Sequence, residues 1–264
     1  MIVGRVPYLN CEPFHLHLDG LGFPMVEAPP RELGRMAEDG RVDAGLMATA
    51  DFHRLSETFE IVSPFCIAAR KEVWSVLLLS QRPPRALHGS AIVLTEESST
   101  SANLLRMLMT QAFGVRAPRF VRAAADSDVA RQADARLVIG DEALRLRAAG
   151  FPDSPYITDL AREWWEWTGT PMVFAVWAVR KSAPAAEKEA LRDALERSLA
   201  DYPAHAAAIA ERRAPGLGMT PAGVTAYLKI LTYRIGALET QGLALYRSRL
   251  ETLDVADHTV TVGR

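Results

Sequence analysis

Four hydroxyl side chains stand in a row, at Ser98, Ser99, Thr100 and Ser101, directly before a run with apolar residues at helical spacing. A helix start needs one side-chain oxygen to cap a free backbone N–H group, so the run offers more oxygens than a cap requires. Free N–H groups, the helix dipole and adjacent hydroxyls together bind carboxylates or phosphates. The run is therefore either a redundant cap or an anion site at a helix N-terminus.

Further polar residues follow short apolar strands, and ligands gather at the carboxyl ends of parallel strands. Tyr8 and Asn10 end the first strand, Thr49 follows DAGLMA, and Asp141 follows LVIG. The Asn10 amide either caps the next helix or donates to a ligand oxygen. Thr49 and Asp141 are likewise either helix caps or cleft residues. These residues form a candidate site for a small ligand.

Several kinds of site are not indicated. Neither a glycine-rich P-loop nor a GxGxxG pattern is present, which disfavours nucleotides and leaves a carboxylate as the better ligand. The chain has two cysteines, without a CxxC pair, and none of its six histidines falls in an HExxH pattern. We therefore expect no metal and no cofactor. With a net charge of −2 and no block of Lys or Arg, we also expect no nucleic-acid partner.

Short apolar strands alternate with helical patterns, which predicts an α/β fold with mainly parallel sheets. A chain of 264 residues is long enough for two domains. The turn-rich QRPPRALHGS marks a boundary, and we predict a first lobe of residues 1–80 and 175–264 and a second of 81–174. The strands WSVLLLS and VFAVWAV would cross between them, and the chain after residue 181 would be wholly helical. A cleft between two lobes is a usual place for a small ligand.

The first residues form a strand-like run, without the basic region and apolar stretch of a secretory signal. No apolar run approaches the roughly 20 residues that a membrane helix needs. We therefore expect a cytoplasmic protein without membrane contact.

Several segments, taken in order, resemble the chorismate dehydratase family of the futalosine route to menaquinone. They are GRVPYLNCEPF, VDAGLMATADF, SVLLLS, EESSTSANLLRML, LVIGDEAL, WWEWTGTPMVFAVWAVR and YLKILTYRIGALETQGLALY. The similarity extends from about residue 4 to 250. It implies the two-lobed fold of type II periplasmic binding proteins with C-terminal helices. It also implies a reaction, removal of water from chorismate to give 3-[(1-carboxyvinyl)oxy]benzoate.

The resemblance also implies residue roles. Asn10 matches the Asn of the family's YLN motif and Ser75 matches the Ser of its SVLL strand, so both are expected to be catalytic and to orient the ring or the leaving hydroxyl. Pro7 departs from the family, in which a Ser precedes Tyr-Leu-Asn. The base is expected to be a carboxylate of the substrate. The residues expected to bind substrate are Tyr8, Thr49, Ser99, Thr100, Ser101 and Asp141, with the hydroxyl-rich helix start holding one carboxylate.

Two other interpretations remain open. The 1,4-dihydroxy-6-naphthoate synthase of the same pathway shares the fold, but its sequences carry a CPNDTF-like motif where this chain has YLNCEPF. A non-catalytic protein that binds a small carboxylate, such as a solute receptor or an effector sensor, would have the same fold. Turnover of the ligand distinguishes an enzyme from a binding protein.

Overall fold

The structure is a computed structural model that describes residues 1–123, 127–253 and 260–261. Within these residues the strands are β1 Val3–Arg5, β2 Met25–Glu27, β3 Ala44–Ala48, β4 Phe59–Ala69, β5 Val76–Ser80, β6 Ala91–Leu94, β7 Arg119–Arg122, β8 Ala135–Ile139, β9 Tyr156–Asp159, β10 Met172–Arg180, β11 Leu231–Arg234 and β12 Val260–Thr261. The α-helices are α1 Glu12–His15, α2 Pro30–Glu38, α3 Thr49–Arg54, α4 Thr100–Met107, α5 Asp128–Gln132, α6 Gly140–Ala148, α7 Leu160–Thr168, α8 Ala185–Leu217, α9 Pro221–Ile230 and α10 Ala237–Glu251.

The strands form two six-stranded sheets, with the orders β11-β4-β10-β3-β1-β2 and β12-β7-β6-β8-β5-β9. The predicted α/β class is confirmed. Five of the ten pairings are parallel and five are antiparallel, so each sheet is mixed rather than mainly parallel. The antiparallel pairings arise where β5 and β10 run against their neighbours and where β11 runs against β4.

Two glycines bring β1 and β3 close together. A Cβ on Gly45 would lie 2.9 Å from the carbonyl oxygen of Gly4, so a side chain there would push the strands apart. Strand β3 is buried along its whole length, and α2 covers it with an apolar face that includes Leu33 and Met36. The carboxyl ends of β1 and β3 are thereby held at one edge of the sheet.

The chain passes between the sheets at other points than the sequence predicts. Strand β5, expected in the first lobe of residues 1–80, pairs with β8 and β9 in the second sheet. Strand β10 lies wholly in the first sheet, between β3 and β4. Both strands are strongly apolar because each is buried inside one sheet. A strand that crossed between two lobes would be equally apolar, so the sequence does not distinguish the two cases. Between β4 and β10 the connections are residues 70–75 and 160–171, and the chain enters the second sheet again between β11 and β12.

The C-terminal region also differs from the prediction. Strand β11 interrupts the part expected to be wholly helical, and β12 pairs with β7 in the second sheet. Strand β9 falls in AAGFPDSPYI, for which we predict a loop. It is an edge strand with two exposed apolar residues, so it lacks the alternation that marks a half-buried strand. Residues 254–259 and 262–264 of the expected first lobe lie outside the described part.

Candidate active site

A cavity lies between the two sheets, beside the turn that follows β1 and the start of α4. The predicted site residues Tyr8, Asn10, Ser75 and Ser101 line it, and Ser98 joins them. The rest of the wall is largely apolar and comes from both sheets, with Leu46, Ile67, Val76, Ile139 and Phe174. The cavity therefore combines a few polar groups with an apolar enclosure, as small-ligand sites do.

Two hydroxyls of the run before α4 face the cavity. Ser98 Oγ accepts the backbone N–H of Ser101 at 3.0 Å, so Ser98, one residue before the N-cap position Ser99, satisfies a free N–H group of the first turn. Because its oxygen accepts that bond, the Ser98 hydrogen is available to another acceptor. The hydroxyl of Ser101 has no partner within the described part of the chain. The run therefore supplies both a side-chain hydrogen bond at the helix start and part of the cavity wall, and Ser98 contributes to both.

The other hydroxyls predicted to bind substrate have protein partners instead. Thr49 is fully buried and donates to a carbonyl of β10 at 2.8 Å. Thr100 Oγ1 accepts the N–H of Ala50 at 3.0 Å, and Ser99 donates to the carboxylate of Asp51 in a separate pocket. Successive residues of a helix point about 100° apart, so a row of hydroxyls cannot face one ligand. Ser99 and Thr100 instead tie α4 to α3.

The turn Leu9–Cys11 presents Asn10 to the cavity. Asn10 does not cap α1, whose N-cap residue is Cys11 and lacks a side-chain cap bond. The Asn10 Oδ1 atom accepts the thiol of Cys11 at 3.3 Å. Its NH₂ group has no protein partner among the described residues and is free to donate to a ligand.

Asp141 supports this turn from behind rather than lining the cavity. Its carboxylate accepts the N–H of Leu9 at 2.9 Å and a guanidinium N–H of Arg213 at 2.6 Å. Arg213 also contacts Glu12 at the start of α1. Asp141 lies in the first turn of α6 but is not its cap, which is Ile139. Asp141, which we predict to bind substrate, thus lies outside the described cavity wall and contacts the turn that carries Asn10.

Tyr8 links the two sides of the cavity. Its hydroxyl donates to the carboxylate of Glu97, in the loop before α4. Its ring packs on Gly140, which has a φ of +58° and where a Cβ would lie 2.9 Å from the ring. Burial, followed by the Glu97 hydrogen bond, raises the pKa of the Tyr8 phenol. Tyr8 is therefore neutral at physiological pH.

Ser75 lies just before β5, with 1% of its surface exposed. Its Oγ accepts the hydroxyl of Tyr227 at 2.8 Å and donates to the carbonyl of Val73 at 3.3 Å. Tyr227 lies 152 positions away on α9. The sequence does not indicate its role, because its position in the pattern is that of an ordinary core residue of a helix. Only the fold brings it to Ser75.

Within the described residues, the cavity wall contains no carboxylate, imidazole, amine or guanidinium. Its ionisable groups there are Tyr8 and Cys11, and burial is the largest cause that raises the pKa of each. No cluster of His, Cys, Asp and Glu suited to a metal ion occurs in the same part of the chain. The site thus offers neutral hydrogen-bond donors in an apolar enclosure.

The described helices include none that combines the length and the apolar character needed to cross a membrane.

Comparison with known proteins gives consistent results. The sequence profile of a family described as "Menaquinone biosynthesis" matches residues 1–252. A chorismate dehydratase from Thermus thermophilus is 30% identical over 265 aligned positions, which cover 94% of this chain and 94% of that protein.

Two solved structures show the fold. A protein from Archaeoglobus fulgidus superposes with a TM-score of 0.77 at 15% identity, over 95% of this chain and 96% of its own. A Candida albicans protein described as having the generic periplasmic binding protein fold superposes with a TM-score of 0.62 at 10% identity, over 100% of this chain and 98% of its own. The predicted fold family is confirmed.

Proposed function

The chain belongs to the menaquinone biosynthesis family, and on that premise we propose that it is a chorismate dehydratase. The observation that carries the proposal is 30% identity to the Thermus thermophilus enzyme over 94% of both chains. The reaction removes the C4 hydroxyl and the C3 proton of chorismate. The product ring is aromatic, so the reaction has a large driving force.

The composition of the cavity agrees with a reaction that needs positioning more than acid–base catalysis. The described wall offers no group that would accept a proton at neutral pH. Holding a flexible substrate in one reactive conformer supplies several kcal/mol of barrier reduction. The enclosure also keeps the substrate from alternative conformers that lead to rearrangement.

We propose that the side-chain carboxylate of chorismate takes the C3 proton. It is attached through the ether oxygen on C3, so its oxygen reaches the C3 hydrogen through a six-membered ring. The ring carboxylate lies in the ring plane at C1 and cannot reach that hydrogen. The departing hydroxide then takes the proton back, so water leaves and the carboxylate is regenerated.

In our proposal, some site residues bind the ring carboxylate of chorismate and others bind its leaving hydroxyl. Ser98 and Ser101, at the N-terminus of α4, donate to the ring carboxylate with support from the helix dipole. Asn10 and Ser75 donate to the leaving hydroxyl, whose oxygen gains charge as the C4–O bond breaks. Tyr8 closes the cavity over the ring through its bond to Glu97.

The test is to incubate the purified protein with chorismate and to separate the products by chromatography with mass detection. The proposal predicts a product lighter than chorismate by one water, formed faster than in a buffer control. Unchanged chorismate in the presence of folded protein would contradict it. Formation of 1,4-dihydroxy-6-naphthoate by the protein instead would favour the naphthoate synthase.

We further propose that the enzyme works in the cytoplasm and that its two lobes meet at residues 70–75 and 160–171. Both cysteines, Cys11 and Cys66, are buried free thiols, which suits a reducing compartment. Cell fractionation with an antibody against the chain measures the location.

A further inference from the structure

Tyr227 is a buried residue next to the cavity that the proposed reaction does not yet use. It lies on α9 with 1% of its surface exposed, and its ring stacks on Trp74 with centroids 6.5 Å apart. The residue is outside the cavity wall but one hydrogen bond from it. Its hydroxyl has Ser75 as its partner in the described chain, at 2.8 Å.

The backbone around Ser75 is held from several sides. Its carbonyl accepts the N–H of Gly140 at 2.8 Å, and its own N–H donates to the carbonyl of Val73 at 2.7 Å. Asp159 accepts the N–H groups of Val73 and Trp74, at 3.0 and 2.8 Å. Trp74 has a φ of +59°, in the left-handed region that bulky residues rarely adopt. These contacts hold the backbone of Ser75, whereas its hydroxyl hydrogen can still rotate about the Cβ–Oγ bond.

The Tyr227 contact restricts that rotation. A serine hydroxyl has one hydrogen, and since its oxygen accepts from Tyr227, this hydrogen must point elsewhere. The two acceptors in reach are the carbonyl of Val73, at 3.3 Å, and a ligand in the cavity. Burial raises the pKa of Tyr227, so its phenol keeps its proton and remains the donor at every pH at which the protein is assayed.

We propose that Tyr227 is a positioning residue for the dehydration, which donates to Ser75 and so directs the Ser75 hydrogen to the departing oxygen of the substrate. The proposal rests on the proposed function. Neither residue transfers a proton, since the hydroxide is protonated by the carboxylic acid formed on the substrate. Hydrogen bonds in series polarise each other, so the Tyr227 bond also makes Ser75 a stronger donor.

The test is a double-mutant cycle on chorismate turnover with Tyr227→Phe and Ser75→Ala. Tyr227→Phe removes only the hydroxyl and is expected to lower kcat about tenfold, the value of one neutral hydrogen bond, with KM within about twofold. In the Ser75→Ala background it is expected to change kcat by less than about twofold, because the oxygen that it orients is gone. A residue that only supports the fold would lower kcat by the same factor in both backgrounds.

Tyr233→Phe is the matched control. The Tyr233 hydroxyl oxygen is also buried, but has no hydrogen-bond partner in the described residues, so its removal is expected to leave kcat unchanged. Should Tyr227→Phe fail to fold, 3-fluorotyrosine at position 227 replaces it. That residue keeps the hydroxyl as a stronger donor, and kcat is expected to rise.

The outcomes separate the two proposals. Wild-type turnover with a tenfold loss in Tyr227→Phe that vanishes in the Ser75→Ala background supports this inference. The inference alone is overturned if the wild type turns over chorismate but kcat is unchanged in Tyr227→Phe or in the fluorotyrosine protein. It is also overturned if the effects of Tyr227→Phe and Ser75→Ala on kcat multiply in the double mutant. A folded wild-type protein that does not dehydrate chorismate overturns the proposed function and this inference together.

Discussion

At the scale of single residues, the site depends on where a few neutral donors point. Asn10, Ser75, Ser98 and Ser101 share one cavity although the sequence separates them by up to about ninety positions. Strand ends and the hydroxyl run point to most of these positions in the sequence. The sequence does not show which way these side chains point, because a hydroxyl that faces the cavity and one that faces the opposite side occupy neighbouring positions of one helix turn.

Ser75→Ala and Asn10→Ala are each expected to lower kcat for chorismate about a hundredfold, since each removes a donor to the leaving oxygen in an enclosed site. Steady-state kinetics with thermal unfolding as the check on folding measures this. Ser182→Ala, at an exposed position, serves as the control and should match the wild type. If both site variants retain full turnover, the assignment of Asn10 and Ser75 fails.

The ionisable groups of the cavity predict a flat pH profile. Burial raises the pKa of both Tyr8 and Cys11, so these groups remain neutral, and ordinary carboxylates are ionised well below neutral pH. We expect kcat to vary by less than about twofold between pH 6 and 9, measured at saturating chorismate. A rise or fall of kcat with a midpoint inside that pH range would show that a titrating protein group takes part in the reaction.

At the scale of elements, α4 combines a structural and a binding role in one turn. Ser98 accepts an N–H group of the first turn and faces the cavity, whereas Ser99 faces Asp51. The helix itself follows from the sequence spacing. Strand β9 does not, because an edge strand with exposed apolar residues has no alternating pattern, and β11 is too short to stand out between two helices.

Substitutions in this turn are expected to separate stability from substrate affinity. Ser101→Ala should raise KM about tenfold with little change in stability, because its hydroxyl has no protein partner in the described chain. Ser98→Ala should raise KM and also lower the free energy of unfolding by about 1 kcal/mol, through loss of the hydrogen bond from the Ser101 N–H group.

The matched control for the same turn is Ser99→Ala, which should lower stability without changing KM, since its partner Asp51 lies outside the cavity. Denaturant unfolding and steady-state kinetics on the three variants measure both quantities. A raised KM in Ser99→Ala together with an unchanged KM in Ser101→Ala would reverse the proposed orientation of the turn.

At the scale of the whole molecule, the site exists only where segments distant in sequence meet. The Asn10 turn is supported by Asp141 from α6 and by Arg213 from α8, and Ser75 by Tyr227 from α9. The two-lobed α/β fold is predictable from the alternation of strands and helices. These supporting contacts are not, because each joins residues more than seventy positions apart and is made by side chains common in any core or surface.

The stability of the fold should fall in mild acid because of His15. Burial, and then the charges of Arg5 and Arg213, lower the pKa of His15 to about 3 from an ordinary value of 6.5. The unfolded chain therefore binds a proton that the folded protein excludes, and stability is lost as the pH falls below 6.5. The loss from this group reaches about 3 kcal/mol at pH 4.

His15→Gln, which is neutral throughout, isolates this contribution. Between pH 7 and 4 the variant should lose about 3 kcal/mol less unfolding free energy than the wild type, as measured by urea denaturation. Parallel curves for the two proteins would show that His15 titrates normally in the folded state.

The central claim is that the protein positions chorismate while the substrate supplies the base. The most direct measurement compares kcat for chorismate with kcat for the analogue in which the side-chain carboxylate is an amide, with the analogue's binding confirmed by competitive inhibition. We predict that the analogue binds in the cavity and is dehydrated at least a thousandfold more slowly. Dehydration of the analogue within about tenfold of the rate for chorismate would place the base on the protein and contradict the account.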